Sequence, residues 1–412
     1  MRVLRRHAVR RPRRRAIAAA AIGLLTVGIG AAVGLISGIA ARTIITPPSR
    51  KAETTQVLRV DIDEGLVTFT RTADSAVGGR YGFWFTEATG YALVGTIVAE
   101  TERTVTRELL DVYLGELTQG VWGRFGAWFY LNPSDAGEDY SEVQIATDLG
   151  PAPAWQIVAP GQTGKWVIMV HGRAVVRAEC VRAIGVFRAA GYNSLLISYR
   201  NDGEAPQSPD GLYALGDTEW KDVDSAIEYA QNRGARSIVL MGWSMGGATA
   251  LQTVTRSAHS RLIVGVALDS PVVDWKRALD FQGKEKGLIR PVRAIVFALL
   301  GSAWARPITG QREPINLGRL DFVRRARELS VPILILHSDD DKYIPSTASR
   351  LLARERPDIV TLEVFTTAAH TRLWNYDEQR WNSAVNSWLD GLVSTDVSSG
   401  SSNARRVRRM SR

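Results

Sequence analysis

The sequence predicts an α/β fold: a mostly parallel sheet with helices on both faces, preceded by an N-terminal apolar helix and a small β-rich region. Three observations predict it. From about residue 141 to 392, short apolar runs alternate with helical patterns. One apolar run, Ile238 to Leu240, leads straight into "MGWSMGG", a serine set among glycines. Residues 16–41 carry no charge at all. Composition agrees with a folded chain, since 45% of the 412 residues are apolar and 23% charged. The single cysteine, Cys180, has no partner for an internal disulfide, so the fold depends on its core.

The net charge of +9 is confined to the ends. Residues 1–15 hold eight Arg and no acid, and residues 395–412 hold five Arg and Asp396. Removing both tails leaves a body of net −3. Nucleic-acid binding needs a basic face on the folded domain, and this count argues against one, so no nucleic-acid partner is expected. Residues 16–41, "AIAAAAIGLLTVGIGAAVGLISGIAA", are long enough as a helix to span a hydrocarbon core of about 30 Å. The eight Arg before it place the tail in the cytoplasm and the body outside. The reading is a single-pass anchor; the alternative is a cleaved signal, whose apolar stretch is usually shorter. Residues 42–53 read as a linker.

Residues 54–140 form the β-rich region. "VLRV", "LVTFT", "YGFWF" and "YALVGTIVAE" are β-branched and aromatic runs broken by Gly and Asp. Trp84, Trp122 and Trp128 are expected in its core or at its contact with the next domain, with a carbohydrate surface as the functional alternative. Residues 141–394 form the α/β domain. "EVQIAT" and "AWQIVAP" read as two antiparallel strands. "KWVIMV" (165–170), "NSLLISY" (193–199), "SIVLMG" (237–242), "LIVGVALD" (262–269), "VPILILH" (331–337) and "IVTLEVF" (359–365) follow as buried strands. Helices are expected at about 175–190, 217–234, 245–256, 346–355 and 376–392. The interval of about 272–328 reads as a helical cap, with "RPVRAIVFALLGSAWA" as its apolar helix; it could cover a site or lean on a membrane. Residues 395–412 read as a disordered basic tail. The basic tails suit contact with anionic lipid or cell-wall polymer.

"GWSMG" is G-x-S-x-G between an apolar strand and a helix. That junction lifts the Ser244 hydroxyl above the sheet edge and aims the helix N–H groups at it. A serine nucleophile needs a base. Of the five histidines, His7 lies in the basic tail, His171 and His337 end buried strands, and His259 lies at the far end of the helix after Ser244. His370 remains, in a loop that follows the last strand, where a base belongs. The base needs a carboxylate. "HSDDDKYIP" offers Asp339, Asp340 and Asp341, whose side chains diverge, and Asp269 at the end of "LIVGVALD" is the rival. The calcium pattern D-x-D-x-D-G is absent, and no metal is expected.

Taken in order, "VIMVHGR", "SYRNDGEA", "GWSMGG", "LILHSDDDKYIP" and "AAHTRLWN" resemble the motifs of the α/β-hydrolase superfamily, in its serine aminopeptidase/lipase-like branch. The resemblance spans roughly residues 141–392. It implies an α/β-hydrolase fold with the order Ser244, Asp341, His370, Asp341 being the acid three residues before Ile344-Pro345. It also implies oxyanion donors at the backbone N–H groups of Met245 and Arg173. Ser338, Asn201 and Ala369 stand where the family pattern has glycine. By this resemblance the chain would be a serine hydrolase of acyl esters or thioesters, working through an acyl-enzyme without a cofactor on a small-molecule or lipid substrate. A serine peptidase, or a silent scaffold on the same fold, are the alternatives.

Overall fold

The computed structural model describes residues 12–48, 52–161 and 163–392, with side chains of the first helix given at residue 28 and from residue 30 onward. Most of the basic N-terminal tail and the expected C-terminal tail lie outside the described residues. Two compact units result: one from residues up to Ile44 with Gly283–Pro314, the other from Ile45–Gln282 with the chain from Ile315 onward.

The first unit is helical. Helix α1 (Pro12–Ile45) runs four residues beyond the charge-free stretch, so the expected linker begins later than residue 42. Within this unit, Ser37 Oγ donates to Val33 O at 2.7 Å, and Ile308 packs where a Cβ on Gly38 would meet it at 3.1 Å. Among the described residues no single helix is long and apolar enough to cross a membrane. The helices Arg290–Leu300 and Ala303–Thr309, bent by 97°, pass that test of length and composition only as a pair.

The second unit begins with a closed barrel of six strands: β1 (Thr55–Asp61), β2 (Leu66–Thr70), β3 (Tyr81–Phe85), β4 (Gly90–Glu100), β5 (Thr104–Leu114) and β6 (Trp122–Gly126). Period-2 alternation sorts "YGFWF": Tyr81, Phe83 and Phe85 point into the barrel, and Trp84 points out. The barrel core is four phenylalanines with Tyr81 and aliphatic side chains, Phe69 and Phe83 having centroids 4.7 Å apart, and holds none of the three tryptophans. Trp84 and Trp128 pack on the larger core beyond the barrel, and Trp122 is 50% exposed. Inside the barrel Arg107 is buried, and its guanidinium donates to the carbonyls of Ser75, Val77, Gly79 and Gly95. Burial pulls its pKa down to about 10.

An eight-stranded sheet follows. Its strands are β7 (Ser141–Thr147), β8 (Gly150–Ile157), β9 (Lys165–Val170), β10 (Asn193–Ile197), β11 (Ser237–Trp243), β12 (Ile263–Asp269), β13 (Ile333–Ser338) and β14 (Val360–Phe365). The order is β14-β13-β12-β11-β9-β10-β8-β7, and every pairing is parallel except the two that β8 makes, with β10 and with β7. The central strands are buried on both faces, as their unbroken apolar runs require. The helices after the barrel are, in chain order, α2 (Ile184–Ala189), α3 (Trp220–Asn232), α4 (Met245–Arg256), α5 (Trp275–Glu285), α6 (Arg290–Leu300), α7 (Arg306–Thr309), α8 (Thr347–Glu355), α9 (Leu373–Tyr376) and α10 (378–392), of which α6 and α7 belong to the first unit. Two expected helices differ in detail. The stretch at 175–190 opens as a 3-10 turn over Arg177–Ala183, and the last helix splits at Asp377 into α9 and α10. The α-helices of the expected cap interval lie within Trp275–Thr309, and beyond them its one helical turn is the 3-10 stretch Ala326–Glu328.

The barrel docks on the sheet domain within this one unit. Arg80 forms an ion pair with Glu378, and its guanidinium lies over the Phe129 and Trp374 rings. Gly79 passes so close to the loop after His370 that a Cβ there would lie 2.2 Å from Asn375 O.

Candidate active site

The β11–α4 junction carries Ser244. Its backbone has φ 51° and ψ −114°, a conformation that L-residues rarely adopt and that lifts the hydroxyl clear of the strand. The turn closes only without side chains on its flanks. A Cβ on Gly246 would lie 2.1 Å from Val170 O, and one on Gly242 would lie 2.6 Å from Gly246 O. Ser244 N–H donates to Asp269 O at 3.0 Å, which locks the turn to β12.

His370 bridges two side chains. Its Nε2 lies 2.9 Å from Ser244 Oγ, and its Nδ1 lies 2.6 Å from Asp341 Oδ2. The three residues are 126 and 29 positions apart along the chain, and the structure brings all of them together. Asp341 is buried yet well supplied. Tyr343 N–H and Ile344 N–H donate to its Oδ1 at 2.9 and 2.8 Å, and His337 Nε2 stands 3.4 Å from Oδ2. Burial alone would raise its pKa. The charge of His370 and hydrogen bonds from His337 and His370 overcome that and hold the carboxyl well below its ordinary range.

The other carboxylates are placed elsewhere. Asp269 is buried among Trp381 Nε1, which donates at 2.9 Å, and Ser270 Oγ, also at 2.9 Å. Burial raises its pKa. Asp339 pairs with Arg350 and accepts from Ser346 Oγ, and Asp340 faces Lys342. Three consecutive acids thus point in three directions, and only Asp341 turns inward. His259 sits by Asp224, and His337 Nδ1 bonds Ser349 Oγ. Among the described residues no group of three or more His, Cys, Asp or Glu could hold a metal ion.

Of the expected oxyanion donors, Met245 opens α4 directly after Ser244, so its N–H has no intrahelical acceptor. Arg173 follows Gly172, where a Cβ would lie 3.4 Å from Ser244 Cβ. The Gly172 backbone therefore lies beside Ser244. Behind them His171 Nε2 meets Asp202 Oδ2 at 3.1 Å, and its ring stacks on Tyr199 at 4.2 Å.

Residues 167–384, more than half of the chain, match the Alpha/beta hydrolase family. The chain belongs to that family. Residues 56–126, the barrel, match a Domain of unknown function (DUF8805). The uncharacterized protein YqkD of Bacillus subtilis is 22% identical over 242 residues, covering 57% of this chain and 74% of its own length. An esterase of Pyrococcus furiosus overlays with 18% identity and a TM-score of 0.49, over 63% of this chain and 93% of that one. An esterase of Exiguobacterium antarcticum does so with 17% identity and a TM-score of 0.44, over 61% and 100%.

The alpha/beta hydrolase site has a second layer that the sequence reading missed. Glu179 and Arg182 are buried 3.7 Å apart. Glu179 Oε2 accepts from Gly172 N–H at 2.8 Å. Arg182 Nη1 donates to Thr371 O and to Asn375 Oδ1, both at 2.8 Å, on the His370 side. Ser270 Oγ accepts from Thr371 N–H at 3.1 Å. These groups fix the loops of the hydrolase on both sides of Ser244. The signal in the sequence was a Glu and an Arg three apart in the otherwise apolar "AECVRAIGVF".

Proposed function

We propose that this alpha/beta hydrolase is a membrane-tethered serine hydrolase of acyl esters or thioesters. The observation that carries the reading is the imidazole of His370, within hydrogen-bond reach of both Ser244 Oγ and Asp341 Oδ2. In this reading Ser244 Oγ attacks the acyl carbonyl as His370 Nε2 takes its proton. The N–H groups of Met245 and Arg173 stabilise the oxyanion. His370 then protonates the leaving group, and the acyl-enzyme remains. Water, deprotonated by the same nitrogen, releases the acid and restores Ser244. Asp341 keeps Nδ1 protonated and stabilises the imidazolium.

The tether rests on the charge-free run of residues 16–41 behind eight Arg, which orients the body to the extracytoplasmic side. A tethered site and the apolar segment at 290–305 favour apolar acyl groups over peptides. The test is a fluorophosphonate probe read by intact mass, wild type beside Ser244→Ala. A single adduct that the variant lacks is the expected result, and a folded wild type without adduct overturns the reading. Acyl esters compared with aminoacyl amides then separate esterase from peptidase. Retention of the full chain in carbonate-washed membranes tests the tether.

A further inference from the structure

The barrel and the loop that carries His370 enclose a cavity of about 810 Å³, within the size range of small-molecule sites. Trp84, Arg124 and Trp128 line it from the barrel side. Ala174, Val175 and His370 line it from the hydrolase side. It therefore opens on the imidazole and on the two residues after Arg173. In acyl transfer the imidazole delivers its proton to the departing group, so the part of the substrate beside His370 is the leaving group.

Among the described residues that line it, the charge of Arg124 is unanswered. Arg124 lies over the Trp84 ring, 5.8 Å from its centroid. Among the described residues its guanidinium has no hydrogen-bond or ion-pair partner. The second guanidinium, Arg372, is satisfied: it donates to Asp74 Oδ1 at 2.8 Å and to Phe125 O at 3.0 Å. The acids on the cavity wall are largely engaged as well. Asp74 is held by Arg372, Glu179 by Gly172 N–H, and Glu87 has a partner of its own. Glu53 accepts from Ala88 N–H at 3.4 Å and favours the charge on Arg124 without reaching ion-pair distance. A partly buried guanidinium without an acceptor is costly, and a planar carboxylate fits its fork with two parallel hydrogen bonds. A phosphate dianion would leave one negative charge uncompensated beside Glu53.

The backbone of the rim points the same way. Thr86, Glu87 and Ala88 have consecutive φ values of 51°, 55° and 66°. Each left-handed non-glycine residue costs about 1–2 kcal/mol, and such strain concentrates where backbone shape serves a site. The turn puts Glu87 and Ala88 on the cavity wall, beside the Trp84 and Trp128 rings, which meet edge to face at 5.5 Å. These rings offer an apolar surface for the portion between the ester oxygen and the anion.

We propose that the domain of residues 56–126 is the leaving-group half of the active site, and that Arg124 determines specificity by binding a carboxylate on the alcohol portion of the ester. The inference rests on the serine-hydrolase reading for its chemistry, and its test separates the two.

The experiment uses the full chain in detergent with two substrates, 4-acetoxybenzoate and its methyl ester. Hydrolysis of the first adds water across the acetyl ester and releases acetate and 4-hydroxybenzoate. The wild type is expected to show a kcat/KM about tenfold or more higher for the carboxylate, the scale of a charge-assisted hydrogen bond. Arg124→Gln brings that ratio to about one, and Arg124→Glu inverts it. A wild-type ratio of one, or a ratio that survives Arg124→Gln, overturns the proposal. Calorimetric titration of 4-acetoxybenzoate into Ser244→Ala reads the subsite without turnover. Binding that disappears in the Ser244→Ala, Arg124→Gln double variant supports the subsite even where neither ester is cleaved. No binding, or binding indifferent to Arg124, overturns it.

Discussion

Arg80 and Asn375, 295 positions apart, hold each other reciprocally. Arg80 N–H donates to Asn375 O at 3.0 Å, and Asn375 Nδ2 donates to Arg80 O at 3.0 Å. Asn375 Oδ1 accepts from the buried Arg182, which also binds Thr371 O, next to His370. One amide thus ties the barrel to the segment that follows His370.

Asn375→Ala removes both side-chain bonds and leaves Arg182 short of an acceptor. A loss of about 2–3 kcal/mol is expected, seen as a lower Tm. Because the His370 loop loses its anchor, kcat falls about tenfold or more as well. A lower Tm with unchanged kcat would show that the amide serves stability alone.

The strain at Ser244 separates two inactive variants. Ser244→Ala and Ser244→Gly both lose the hydroxyl and are expected to lower kcat by roughly 10⁶ on an acyl ester. At φ 51° only the alanine keeps the backbone strain. Ser244→Gly is therefore expected to be the more stable by about 1 kcal/mol in denaturant unfolding. Equal midpoints would mean that the turn is not strained.

Asp341→Asn leaves the imidazole without its acceptor, and kcat falls by about 10⁴. The folded carboxyl titrates below its unfolded counterpart. Its charge therefore stabilises the fold at neutral pH, and that stabilisation is lost as pH falls below the unfolded value of about 3.9. Unfolding measured across pH should show wild type above Asp341→Asn at pH 7 and the gap closing in acid. A gap that widens in acid would reverse the sign.

Two glycines give opposite outcomes. Gly246→Ala drives a methyl into the Val170 carbonyl and is expected to cost about 3 kcal/mol or the fold itself. At Gly185, exposed inside α2, a Cβ meets nothing within 4 Å. Gly185→Ala should raise stability by about 0.5–1 kcal/mol. Thermal melts of both variants check the contrast.

Much of the site was legible because it is local. An apolar strand run, a small-residue turn around one serine and a helix start form a contiguous signal, and His370 followed from having few histidines to choose among. The choice between Asp269 and Asp341 is not local, since Asp269 ends β12 and Asp341 lies three residues past β13, both at the same end of neighbouring parallel strands. It turns on which carboxylate faces the imidazole, and Trp381 claims Asp269 from α10, over a hundred positions away. Of the tryptophans expected in the barrel core or at its contact with the next domain, Trp84 and Trp128 lie at that contact and Trp122 is exposed. The period-2 pattern separates Trp84 from Phe83 and Phe85, but not the inner from the outer face.

By itself the sequence determined the α/β order of the body, the strand-turn-helix around Ser244 and the confinement of basic charge to the tails, because hydrophobic period, glycine placement and charge are written along the chain. Only the tertiary structure decided that the β-rich region closes into a barrel, that it docks on the loop after His370, and that Arg124 faces a cavity without an acceptor. Those facts depend on which surfaces meet. β6 and the His370 loop are about 245 positions apart, and the contact of Arg372 with Phe125 exists only once both are folded.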